Sequence, residues 1–187
     1  MPYVTIFLIY VVFFLIQKHV IYPIEQVFFS NEVLQLASVL YLPHSIRVLS
    51  YYILGFYSII PIFLSQVFTY VYFNDADIIN AAILSFISTC SIVLGFKIFY
   101  FLNEKNHFKF KKIVEWKILI ILGSFISIFN SFLSTIYFSL NSSFLNLYVI
   151  FRFIIGDILG MIVGMLIFIF VIELLRSRML NEKIKDE

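Results

Sequence analysis

Cysteine is almost missing from this chain. Its one thiol, Cys90, cannot close an internal disulfide, and no Cys/His cluster has the spacing of metal ligands. The three histidines, His19, His44 and His107, lie far apart, so no resident metal or cofactor is expected. Charge is scarce too. Only 13% of residues are Asp, Glu, Lys or Arg, the net charge is +2, and no nucleic-acid partner is expected. Within the apolar runs acids are rarer still: Asp75 and Asp77 fall in a polar break, which leaves Asp157 as the acid deep inside a run. The His-Glu-x-x-His pattern of metallopeptidases does not occur. Ile154 stands where the Gly-x-Gly-Asp motif of intramembrane aspartyl proteases needs its first glycine, and Cys90 has no base close in sequence. Catalytic residues are not expected, and the chain reads as a non-enzyme.

What is present is apolar surface. Of 187 residues 62% are hydrophobic and the mean hydropathy is +1.02, against about 45–50% apolar residues in a soluble domain. A soluble fold of this length cannot hide that surplus from water, so the partner must be the lipid bilayer. The 24 Phe and 12 Tyr reflect the Phe, Ile, Tyr, Asn and Lys bias of a low-GC genome more simply than stacking surfaces. The apolar runs are long and lack period-2 alternation. Backbone groups in lipid must bond within their own element, so these runs are helices. The predicted fold is an all-α polytopic bundle of about six transmembrane helices at residues 3–22, 33–45 (continuing past a break at Pro43), 48–73, 78–102, 113–140 and 147–175. It forms a single integral domain over residues 1–187 with a short tail at 176–187. There is no basic n-region and no small-x-small cleavage site, so residues 3–16 read as a retained membrane helix.

Lys and Arg gather on the cytoplasmic side of membrane proteins. Lys105, Lys109, Lys111 and Lys112 form one basic connection, and Arg176, Arg178, Lys183 and Lys185 mark the tail. Both are expected inside, with the acidic residues 74–77 and the uncharged residues 141–146 outside. Six crossings put both termini inside. If residues 33–45 are re-entrant instead, five crossings put the N-terminus outside, and Lys18 mildly favours that alternative.

The stretch YLPHSIRVLSYYILG (residues 41–55) carries Pro43, His44 and Arg47 among apolar neighbours. Proline should break the helix and push Leu42 out of helical geometry. His44 and Arg47, three apart, share a helix face. An arginine at mid-membrane costs roughly 3 kcal/mol on insertion scales, so Arg47 needs a partner unless it snorkels from an anchoring position at the cytoplasmic surface.

In RFIIGDILGMIVG (residues 152–164), Gly156, Gly160 and Gly164 make a smooth stripe that lets another element approach closely. Asp157, beside the stripe, should face the bundle interior and pair or stay protonated. Its candidate partners are His44 and Arg47, or the polar groups of Asn130, Ser131, Ser134 and Thr135. Arg152 reads as snorkelling. Ser131, Ser134 and Thr135 can bond back to their own helix. Tyr41, Pro43, His44, Arg47, Asn130 and Asp157 form the candidate ligand-binding set.

Tyr41-Leu42-Pro43, with Gly55 and Pro61 downstream, resembles the Trp-x-Pro turn, glycine and later proline of the bacterial membrane-associated sensor domains of the MASE type, first class. Gly156, Asp157 and Gly160 match the Gly-Asp-x-x-Gly of that family's last helix. The resemblance runs over residues 34–170. The chain departs from it at Tyr41, where tryptophan is usual, at His44 and Ser45, where residues are small, and at Leu166, where proline often follows. The resemblance implies a sensory module of a bacterial inner (plasma) membrane with a cytoplasmic C-terminus. Such domains usually precede a kinase or cyclase. Here the tail is short, so signalling is expected through a separate membrane or cytoplasmic effector, with an unknown small-molecule ligand. The alternative is a substrate-binding component of a membrane transporter, an analogy by size and helix count. A structural subunit of a larger assembly is a further reading.

Overall fold

The computed structural model describes residues 2–28, 38–106, 115–142 and 147–185. Helix α1 (Pro2–Ile16) opens on proline, which suits a first turn. It runs through one π-turn (Gln17–Ile21) into α2 (Tyr22–Phe28). Pro23 explains the widened turn: it has no N–H, and its ring would strike the carbonyl of His19 in a regular helix. Residues 38–42 are irregular. Next come α3 (Pro43–Leu54), a 3₁₀ turn (Gly55–Ser58), α4 (Ile59–Asn74), α5 (Ile78–Asn106), α6 (Glu115–Ser142) and α7 (Leu147–Lys185). The architecture is the expected all-α membrane bundle. His107, Lys109, Lys111, Lys112, residues 33–37 and the loop residues 143–146 lie outside the described residues.

Five helical stretches are long and apolar enough to cross a membrane: Pro2–Phe28, Pro43–Asn74, Ile78–Phe101, Lys117–Leu140 and Ile150–Arg178. Contacts show that the second of these folds back on itself. Tyr10 of α1 meets Tyr41, while Ile6 and Ile9 meet Leu49, Ser50 and Ile53 around a small cavity, so α1 and α3 are antiparallel. Phe7 stacks on Phe68 and Phe14 on Phe73, so α1 and α4 are parallel. Helices α3 and α4 therefore run in opposite directions. Gly55 makes the reversal with a φ of 57°, a conformation that costs glycine little.

The second pass is thus discontinuous, an irregular stretch at 38–42 followed by α3. Twelve helical residues rise about 18 Å. The irregular residues before them add to that rise toward a hydrocarbon core of about 30 Å. The described helices make five to six passes, with a corrected boundary: the turn before α4 falls at Gly55 instead of just after Pro43. Pro43 sits at the first position of α3, where it starts a helix. Leu42 has φ −57° and ψ −39°, which corrects the expectation that it leaves helical geometry. Tertiary bonds hold it there. Its amide donates to Gln17 Oε1 at 3.0 Å, and its carbonyl accepts from the Ser45 amide at 3.1 Å and the Ser45 hydroxyl at 2.7 Å.

The bundle is inside-out relative to a soluble protein. Leu8, Ile60, Phe86, Phe132, Leu166 and Phe170 are exposed, while Gln17, His44, Arg47, Ser65, Gln66 and Asp157 are buried. Several serine and threonine hydroxyls bond within their own helices, as in Ser65 to the Ile62 carbonyl, Thr89 to Ser85 and Ser131 to Ser127, while the buried hydroxyls of Ser85, Ser127 and Thr135 make no hydrogen bond to described groups. The apolar core gathers Ile6, Val48, Leu49, Ile62, Ile92, Phe96, Leu122, Ile126 and Met165, all toward the Gly55 end.

At the opposite end, Asp75 adopts a left-handed φ of 51° to close α4. Asp77 caps α5 by accepting the Ile79 amide at 3.1 Å. Lys18 donates to the Phe73 carbonyl, where a cation is favourable at a helix C-terminus.

Candidate functional site

The irregular stretch at 38–42 exists because side chains of the first helical segment satisfy its backbone. Glu25 Oε1 accepts the Ser38 hydroxyl at 2.7 Å and the amides of Val39 and Leu40 at 3.0 Å each. Gln17, fully buried, donates to Ser38 Oγ at 2.9 Å while accepting the Leu42 amide. From α7, the Gly156 carbonyl accepts the Tyr41 amide at 2.9 Å. A Cβ on Gly156 would collide with the Ser38 carbonyl, one on Gly160 with the Tyr41 carbonyl, and one on Gly164 with the Ser45 hydroxyl. The glycine stripe is where α7 touches the discontinuous pass.

That contact brings Asp157, beside the stripe and 1% exposed, against α3. Arg47 Nη2 lies 3.5 Å from Asp157 Oδ1 and 2.6 Å from His44 Nδ1. Arg47 Nη1 donates to the Ser88 hydroxyl of α5, and the guanidinium stands 5.5 Å from the centre of the Tyr41 ring, a cation–π distance. Arginine has no acceptor, so His44 Nδ1 must accept. The imidazole is then neutral, with its proton on Nε2 and donated to the Gly123 carbonyl of α6 at 3.1 Å. Gly123 has no side chain to hold the ring away; a Cβ there would lie 3.5 Å from Nε2. His44 Nδ1 also lies 3.4 Å from Asp157 Oδ2. As an acceptor it offers that oxygen no proton.

Above the Arg47–Asp157 pair lies a cavity of about 220 Å³. Tyr41, Arg47, Tyr70, Ser88, Asn130, Ser134, Phe153 and Asp157 are in its wall, and Tyr22, Asn74, Ala76 and Phe138 extend it toward the Asn74–Asp77 end. The apolar core lies toward the Gly55 end. Asp157 Oδ2, Arg47 Nε and Asn130 Oδ1 are buried and make no hydrogen bond to described protein groups. Buried polar atoms of this kind are usually met by water or a ligand.

Of the sequence-predicted set, Tyr41, Arg47, Asn130 and Asp157 line the cavity. His44 supports Arg47 from behind, and Pro43 is buried at the start of α3 without reaching the cavity wall. Arg152 is only 5% exposed, which corrects the snorkelling expectation: its guanidinium is surrounded by protein. Gln17, Glu25, Ser38, Tyr70 and Ser88 were not singled out by the sequence. A buried Gln and Glu eight residues apart at the end of an apolar run were the available signal. A larger groove of about 510 Å³ between α4 and α5, lined by Phe63, Phe86, Cys90 and Val93, has an apolar lining and is suited to lipid chains. Among the described residues no group of His, Cys, Asp and Glu could hold a metal ion. Comparison with family models, curated proteins and solved structures gives no match to this chain.

Proposed function

We propose that this protein is a membrane-embedded module that binds a small molecule in the cavity above Arg47 and Asp157 and passes the binding state to a separate effector. The observation that carries this reading is a buried ion pair lining a partly polar cavity, with unpartnered polar atoms in its wall. The basic residues of the 103–112 connection and the tail favour a cytoplasmic C-terminus by the positive-inside rule. On that reading the Asn74–Asp77 end of the cavity faces outside, across a bacterial inner membrane in keeping with the sensor-domain resemblance. An occupant touching Arg47 and Asp157 would bear on both sides of the α3–α7 contact, and α7 continues to Lys185, a direct route for a signal to the tail.

The test is native mass spectrometry of gently purified protein, looking for a retained small molecule, with Asp157→Asn alongside. The expected result is a bound mass that the variant loses while still melting cooperatively. Retention of the same mass by both proteins would remove the cavity from the account.

A partly polar cavity of this kind also fits a transporter's substrate-binding component. That reading requires co-purification with an energising partner under mild detergent. The sensory reading requires an effector without nucleotide-hydrolysing activity coupled to uptake.

A further inference from the structure

The cavity's own chemistry narrows its occupant. Arg47 and Asp157 compensate each other, His44 is neutral, and among the described residues no other Asp, Glu, Lys or Arg lines the wall. A ligand with net charge would bring an uncompensated ion into this buried site, which is strongly disfavoured. The volume of about 220 Å³ is below the roughly 300–1,000 Å³ of sites for drug-sized ligands. Tyr41, Tyr70 and Phe153 supply ring surfaces, which favour a flat body. Among the described residues Asp157 Oδ2 is an acceptor with no donor in reach, since His44 Nδ1 beside it accepts from Arg47.

From these features, and resting on the binding reading above, we infer that the cavity takes an uncharged, flat heterocycle of one or two rings whose ring N–H donates to Asp157 Oδ2. A zwitterionic amino acid is the main competitor. It would also be net neutral, but it would need a second set of charge partners, and Arg47 Nη1 and Nη2 are already engaged by Ser88, His44 and Asp157.

A matched probe pair tests this on the wild-type protein. 2-Pyridone has a lactam N–H. N-methyl-2-pyridone keeps the ring and carbonyl but has no donor. Benzoate, benzylamine and phenylalanine complete the panel. The readout is the thermal shift of detergent-solubilised protein over millimolar titrations, with native mass spectrometry for any retained molecule. The expected result is binding of 2-pyridone about tenfold or more tighter than its N-methyl analogue, the range of a hydrogen bond to a charged acceptor, with the charged probes and phenylalanine weaker still. Equal binding of the pyridone pair, or tighter binding of phenylalanine or a charged probe, overturns the ligand class and leaves the cavity reading standing. A retained native molecule with no pyridone binding does the same. Silence from every probe together with no retained molecule removes both.

Discussion

Arg47 and Asp157 are 110 positions apart in the chain, yet a guanidinium nitrogen of one lies 3.5 Å from a carboxylate oxygen of the other, with both side chains buried. Each sits on an element that the other's element makes possible. Asp157 is adjacent to the glycines that let α7 approach, and Arg47 follows the irregular stretch those glycines receive.

Removing one partner leaves the other charge buried and uncompensated. Asp157→Leu is expected to lower stability by about 3–5 kcal/mol, read as an earlier thermal transition in detergent. Arg47→Met combined with Asp157→Leu should recover most of that loss. A single variant as stable as wild type would mean that the pair is not buried.

The stripe gives a graded series. Gly160→Ala places a methyl group on the Tyr41 carbonyl and should cost about 1–3 kcal/mol as overpacking. Gly123→Ala, whose methyl would meet the flexible Met161 side chain at 3.3 Å, should cost less. Leu166→Ala on the lipid face, with Leu166 61% exposed, serves as the baseline. Melting temperatures should fall in the order Leu166, Gly123, Gly160.

Gln17→Leu removes the acceptor of the Leu42 amide and the donor to Ser38. An unpaired buried amide costs about 1–3 kcal/mol. Hydrogen exchange at the amides of Val39, Leu40 and Leu42 should accelerate in this variant while α6 stays protected. Unchanged exchange would show that Gln17 does not hold the irregular stretch.

The fold-back at Gly55 is tested by labelling. In a Cys90→Ser background, Phe56→Cys and Ala76→Cys should react with impermeant maleimides from opposite sides of sealed vesicles. A single straight crossing over Pro43–Asn74 would bury position 56 in the hydrocarbon core and leave it unlabelled.

How much of this was legible depends on what each feature opposes. Asp157 and Arg47 stand out because a charge in an apolar run conflicts with its solvent, and a glycine every four residues marks a close approach without any partner being known. The helix class followed from run length. The reversal at Gly55 was hidden because Leu54, Phe56 and Tyr57 carry no polar punctuation, so the apolar run reads through the turn. Gln17 and Glu25 were hidden for another reason. Their partners are largely backbone amides of Val39, Leu40 and Leu42, and a backbone amide has no signature in a sequence. Leu42 kept helical angles against the local proline rule because Gln17 and Ser45 bond to both sides of it.

The central claim is that the Asp157 carboxylate faces the Arg47 guanidinium inside the bundle. Solid-state NMR with ¹⁵N-labelled arginine guanidinium and ¹³C-labelled aspartate carboxyl groups, in lipid, measures it directly. The account predicts a strong Arg47–Asp157 dipolar contact matching the 3.5 Å nitrogen–oxygen separation, abolished in Asp157→Asn by selective loss of the labelled carboxylate. An Arg47 guanidinium with no dipolar contact to the Asp157 carboxyl carbon would contradict it.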